Sequence, residues 1–391
     1  MDKHFKSPRS HGILTSCLLL LGSILVFCLA SEGVIRAYQK WEQAGSIVPV
    51  RTTADSLLGW KPIGGLEERA YLRGNFDVIE RTNPAGLRSD REYGAKPEGT
   101  VRLLLIGDSS FYGPGVEFED TFGQQLEHLL QGKKTPVRFE TVNAGVPGYD
   151  TWQEWQWLER IGPVLDPDFV LVGVSIGHDF HANAQRVEVN RKAIAAQEKE
   201  FYAPDAHRIR APVPFKQMLA EHSASYRFFR ERYHQLLRMI QVRKKPEIGN
   251  TWWLDLYRKD LPPDKTLGYA YTDTTLTRIA EWSDRHGVGL ALMLIPEKGQ
   301  VMPWYWEQTI GDMIVFDADT FDLSKPNRWL HDLGQRAEVP VIDLLPYFKA
   351  VENPDALYFD QDPHWTSYGQ QVAAESVVPF LLTQLLLQYG E

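Results

Sequence analysis

Four short blocks carry residue types that can move an acyl group. Gly107-Asp108-Ser109 offers a hydroxyl at a turn that glycine permits. Asp362-Pro363-His364-Trp365 places an imidazole two residues after a carboxylate. Histidine is the usual general base near neutral pH, and a nearby carboxylate can orient its Nδ1–H and stabilise the imidazolium. A serine activated this way attacks an ester carbonyl and forms an acyl-enzyme. The resulting oxyanion needs donors. Asn143-Ala144-Gly145-Val146-Pro147-Gly148 can bring the Gly148 N–H close to it, and Ile176-Gly177-His178-Asp179 adds a ring. Asp360 is an alternative acid. Each block also has a plainer reading: a turn, a structural histidine, or a solvated helix start. His178 and His181 could mimic a metal pair, but no third ligand is evident. The acyl chemistry asks for no metal and no cofactor.

The surrounding pattern supplies elements to position these blocks. Val101–Ile106, Val137–Asn143, Phe169–Ser175, Val288–Pro296 and Val339–Leu344 read as strands. Helical spacing follows in Thr121–Gln131, Asp150–Ile161 and Thr274–His286, and again from Ser367, where Pro379 should kink or end the helix. This alternation predicts an α/β fold, a three-layer α/β/α sandwich with a five-stranded parallel sheet. In such sheets, sites form beyond the carboxyl ends of the strands, and there all four blocks fall.

In this order the blocks resemble those of the SGNH (GDSL-like) hydrolase superfamily, over at least 101–180 and 355–378. Thr82-Asn83-Pro84-Ala85-Gly86-Leu87-Arg88 and 113–122 are similar to a bacterial membrane-anchored subgroup. The resemblance implies a flavodoxin-like SGNH fold, with Ser109 as nucleophile, His364 as base and Asp362 as its acid. It also implies an oxyanion hole built from the Ser109 and Gly148 N–H groups. Two departures stand out. His178 occupies the position where the family usually has Asn, and its Nδ1, as far from Cβ as an Asn amide nitrogen, is expected to donate instead. The common Asp-x-x-His spacing meets Gln361, whereas Asp362-x-His364-Trp365 is similar to alginate O-acetyltransferase-like proteins. The pattern also differs from the Gly-x-Ser-x-Gly elbow of α/β-hydrolases.

The chain has 391 residues, a net charge of −9 and two cysteines, Cys17 and Cys28. That charge argues against nucleic acid as a partner, and no disulfide framework is possible after Cys28. Residues 13–31 carry no charge and follow Lys3, Lys6 and Arg9, which predicts a transmembrane helix of about 28 Å. On this expectation 1–12 is a cytoplasmic tail, and the rest is extracytoplasmic (periplasmic) on an inner-membrane anchor. A signal cleavage near Cys28-Leu29-Ala30 is the alternative. Residues 32–100 then form a leader segment packing on a hydrolase domain of 101–391, with a helical cap insert at about 180–270. Between Arg186 and Pro246 there are 14 Lys and Arg against 6 Asp and Glu. That balance suits a solvated helix face, or contact with anionic lipid or polysaccharide.

The favoured function is a serine esterase or acyltransferase that removes or transfers O-acyl groups, acetyl above all, on a cell-surface glycan. A membrane acyl-donor protein is a further partner for a transferase. The alternatives are a lipid-directed esterase or thioesterase and a non-catalytic glycan-binding protein. Twelve tryptophans, among them Trp152, Trp155, Trp157 and Trp365, are mostly core by expectation, with one or two able to stack on sugar.

Overall fold

A computed structural model describes residues 18–36 in part, 45–133, 135–187, four positions within 223–229, 254–310 and 319–389. The chain divides into two compact units, Met1–Ser46 with Asp205–Glu247, and Ile47–Pro204 with Ile248–Glu391. In the first unit, Glu32 pairs with Arg36 at 2.7 Å and accepts from Ser223 Oγ and Ser225 N, both at 2.9 Å.

The second unit is built on five parallel strands: β1 (Thr100–Ile106), β2 (Arg138–Asn143), β3 (Phe169–Ser175), β4 (Gly289–Ile295) and β5 (Val341–Asp343). Their spatial order is β2-β1-β3-β4-β5, the flavodoxin-like order. Both faces are covered, which is why the strands read as continuous apolar runs. Leu103 and Leu105 of β1 enter one core with α2 (Phe122–Gln131) and α6 (Ser367–Tyr389). Leu104 and Ile106 enter the other, with α3 (Thr151–Leu165), α4 (Pro263–His286) and α5 (Lys325–Arg336). A short α1 (Ser109–Tyr112) opens directly after β1.

Several expectations shift. Among the described residues no helix is long and apolar enough to cross a membrane, and this overturns the transmembrane helix expected over 13–31. The described helical positions begin at Leu18 and meet Glu32 and then Arg36. Helix α6 runs through Pro379 instead of ending there. Helix α4 begins at Pro263, inside the expected insert, and 176–187 is helical. Most of the insert, including its Arg243-Lys244-Lys245 run, lies outside the described residues.

The leader has more regular structure than its sequence suggests. Thr52–Asp55 pairs antiparallel with Gly59–Pro62, and Glu67–Leu72 with Phe76–Arg81. Charged residues crowd the second hairpin, so no apolar alternation betrays it. From beyond this hairpin comes Arg88, whose side chain is fully buried. Its guanidinium donates to Tyr112 O at 3.1 Å, Arg81 O at 3.0 Å and Val116 O at 2.8 Å. The leader thereby grips the end of α1.

Candidate active site

Asp108 caps α1: its Oδ1 accepts from Ser110 N at 2.8 Å, which turns the chain abruptly from strand to helix and leaves Ser109 at the first helical position. Among the described residues the Ser109 N–H has no hydrogen-bond partner, as first-turn helix amides often lack one.

The second block is tied to this turn. Val146 N donates to Gly107 O at 2.9 Å, and Asn143 Nδ2 donates to Phe111 O at 2.6 Å. Gly145 lies so close that a Cβ there would sit 2.7 Å from Tyr112 N and 2.9 Å from Asp108 O. Gly148 has φ +80°, a left-handed conformation that side chains disfavour, and is exposed. Its N–H also has no partner among the described residues. Trp60, from the first leader hairpin, steadies the turn by donating Nε1 to Pro147 O at 3.3 Å.

His364 sits on a hairpin-like loop closed by an isolated antiparallel bridge between Tyr358 and Trp365. His364 Nδ1 lies 2.5 Å from Asp362 Oδ1, and the same oxygen accepts from His364 N at 2.9 Å. Burial pushes the Asp362 carboxyl up, but the bond and charge of His364, the backbone N–H and the charge of Arg51 together hold it below the usual range. Asp360 is exposed and makes no hydrogen bond to His364. Trp365 is buried against Phe348, with ring centroids 5.2 Å apart, and so anchors the loop. Helix α6, which begins just beyond, is sewn to α1 through Gln370. Its Nε2 donates to Ser110 O at 3.3 Å, and its Oε1 accepts from Phe122 N at 2.8 Å.

His178 also borders the nucleophile turn. Its Nδ1 is 3.3 Å from Asp179 Oδ1 and 3.9 Å from Asp108 Oδ2. The sequence suggested Nδ1 as the oxyanion donor. In the structure Nδ1 turns to Asp179 instead. Ser175 Oγ donates to Asp108 Oδ2 at 2.7 Å, and Ser175 N to Asp179 Oδ2 at 2.8 Å. The three ligand-type atoms of Asp108, His178 and Asp179 lie within 4.8 Å of one another, a grouping the His178/His181 pattern did not suggest. Their oxygens already accept the hydrogen bonds just given, so the trio is satisfied as an ion pair.

Sequence reasoning missed the leader's share of the site. Asn75 Oδ1 accepts from Gln361 N at 3.0 Å, and Phe76 packs on Phe359 with centroids 4.9 Å apart, so a hairpin tip clasps the His364 loop. Arg51 is held by buried Glu80 at 2.6 and 2.8 Å, and its charge reaches Asp362. The only sequence signal for these was their place before the first block.

Residues 247–391, which include Asp362 and His364, match the family described as ALGX, the SGNH hydrolase-like domain of acetyltransferase AlgX. No curated protein matches the chain. Among solved structures, the lipase/acylhydrolase from Enterococcus faecalis is 11% identical with a TM-score of 0.39, covering 73% of this chain and 96% of that one. TesA is 12% identical with a TM-score of 0.40, covering 73% and 99%. The acetyl xylan esterase AlAXEase is 13% identical with a TM-score of 0.39, covering 72% and 100%. The family match supports an ester-acting hydrolase or acetyltransferase over residues 247–391. The chain thus resembles the SGNH hydrolases, and its C-terminal part resembles the hydrolase-like domain of acetyltransferase AlgX.

Proposed function

We propose that this protein is a serine esterase or acyltransferase acting on O-acyl groups, chiefly acetyl, of a cell-surface carbohydrate. Ser109 Oγ attacks the ester carbonyl while His364 Nε2 takes its proton, and Asp362 steadies the imidazolium that forms. The oxyanion is held by the Ser109 and Gly148 N–H groups and by His178 Nε2. Collapse returns the proton from His364 to the departing alkoxide and leaves Ser109 acylated. Water or a sugar hydroxyl then takes the acyl group.

The observation that supports this best is the Asp362–His364 pair, at 2.5 Å, on a loop whose helix is sewn to the turn carrying Ser109. An acetyl group is favoured by the similarity of 247–391 to the hydrolase-like domain of acetyltransferase AlgX. The test has two parts. A fluorophosphonate probe should label wild type and not Ser109→Ala. Rates on p-nitrophenyl esters should fall as the acyl chain lengthens beyond acetyl. An unlabelled wild type would refute the serine mechanism, and a preference for long chains would favour a lipid substrate. Acyl content of surface glycan from cells carrying Ser109→Ala separates the two acceptors: a gain means an esterase, a loss means a transferase.

A further inference from the structure

His178 replaces an amide with a ring, and its neighbours give that change a definite chemistry. The side chain is 42% exposed, yet its Nδ1 faces two carboxylates, Asp179 and Asp108, that are almost wholly buried. Among the described residues His178 is the sole cation within ion-pair distance of either. The other ionisable groups nearby do not compete for this role. Asp150 is paired with Arg186 at 2.8 Å. Glu154, on α3, is fully buried and neither of its oxygens has a hydrogen-bond partner. Glu297, just after β4, lies against Gly177 and accepts from Tyr257 Oη at 2.9 Å.

We propose that His178 works as an imidazolium, donating Nε2–H from a positively charged ring to the oxyanion, and that Asp108 and Asp179 hold it in that state. This inference rests on the acyl-transfer reading of Ser109. As Ser109 Oγ bonds to the carbonyl carbon, its proton passes to His364 and the C=O π pair moves onto oxygen. His178 keeps its proton throughout and only lends a hydrogen bond. A charged donor stabilises that anion by Coulomb attraction as well as by the hydrogen bond, which a neutral amide cannot do to the same degree.

The electrostatics agree with the geometry. Burial alone pulls the ring down, but the hydrogen bond and charge of Asp179, with the charges of Asp108 and Asp150, outweigh it and raise it to about 9. Burial, with the charges of Asp179, Asp108 and Asp150, drives Glu154 well above the carboxylate range. Burial also lifts Asp179 to about 7, so the ring has its charged partner from about neutral pH upward and keeps its own proton until pH passes about 9.

The experiment is a pH profile of kcat/KM for p-nitrophenyl acetate, corrected for spontaneous hydrolysis, from about pH 6 to about pH 10.5. Wild type should lose activity above about pH 9. His178→Asn should be slower at neutral pH, by up to about 10²-fold, and should show no alkaline fall. Asp179→Asn leaves the ring in place but removes its main partner, so the fall should move to lower pH. Glu154→Gln mimics a protonated acid, so it should leave the fall where wild type has it. A flat wild-type profile, an unshifted fall in His178→Asn or Asp179→Asn, or a shifted one in Glu154→Gln would overturn the proposal. Fluorophosphonate labelling of Ser109 at neutral pH reports separately on the acyl-transfer reading. If labelling fails, that reading falls; if labelling succeeds and the profiles do not behave as stated, only the imidazolium falls.

Discussion

Exchanging Asp362 for Asn removes a charge while keeping the shape of the side chain. Asp362 Oδ1 receives two hydrogen bonds, from the ring and from the backbone N–H of His364. With Asn, the counter-charge to the imidazolium is gone when Ser109 loses its proton. A hydrogen bond to a charged group contributes about 1.5–3 kcal/mol. The amide can also turn its NH₂ to Nδ1 and select the wrong tautomer, a change that costs up to about 10⁴ in serine triads. Here the two side chains are 28% and 27% exposed, so solvent replaces part of the lost charge. The expected loss is therefore about 10²–10³ in kcat, or about 3–4 kcal/mol of barrier, with KM little changed because the contact matters most in the transition state. Asp360→Asn should cost less than about threefold, since an exposed charge with no bond to the base acts weakly through water. Steady-state rates with p-nitrophenyl acetate, and the pre-steady-state burst, measure both variants. If Asp360→Asn lost more than Asp362→Asn, or if Asp362→Asn lost less than about tenfold, the assignment of the acid would be wrong.

Three further outcomes follow from the same geometry. Gly148→Ala forces a side chain into φ +80°, so it should cost about 1–2 kcal/mol of stability in urea melts and lower kcat by displacing an oxyanion N–H. Unchanged kcat would remove Gly148 from the oxyanion hole. Arg88→Met strips donors from three carbonyls, each worth about 1–3 kcal/mol when left buried and unpaired, so a loss of at least ~3 kcal/mol is expected by the same melts. Glu297 is raised by burial to about 7 in the fold. Above its unfolded value the unfolded chain releases this proton first, so stability is lost as pH rises from about 4.5 to about 7. Glu297→Gln should remove that loss and raise the melting temperature more at pH 8 than at pH 5. An equal rise at both would contradict a buried, titrating acid.

How much of the site could be read in advance depended on how local its causes are. The parallel strands were legible because burial on both faces demands unbroken apolar runs, as in Leu103–Ile106. The strand-to-helix turn at Ser109 was legible because Asp108 and Ser110, which shape it, are its chain neighbours. The leader's hairpin tip was not, because Asn75 and Phe76 matter only through Gln361 and Phe359, which lie far along the chain. Pro379 does not end its helix, where core packing on both sides of the residue outweighs one missing backbone donor. The sequence misled at 13–31, where a run of apolar composition proved no guide to a spanning helix.

The sequence by itself determined the order of the blocks and the strand-to-helix turn at Ser109, since these are matters of near neighbours and backbone geometry. Only the tertiary structure decided that His178 turns Nδ1 to Asp179 and Asp108, that Asp362 and not Asp360 holds His364, and that Arg51 reaches the acid from the leader. Those outcomes depend on charge, burial and distances in the folded chain, and none of these is a property of any one stretch of residues.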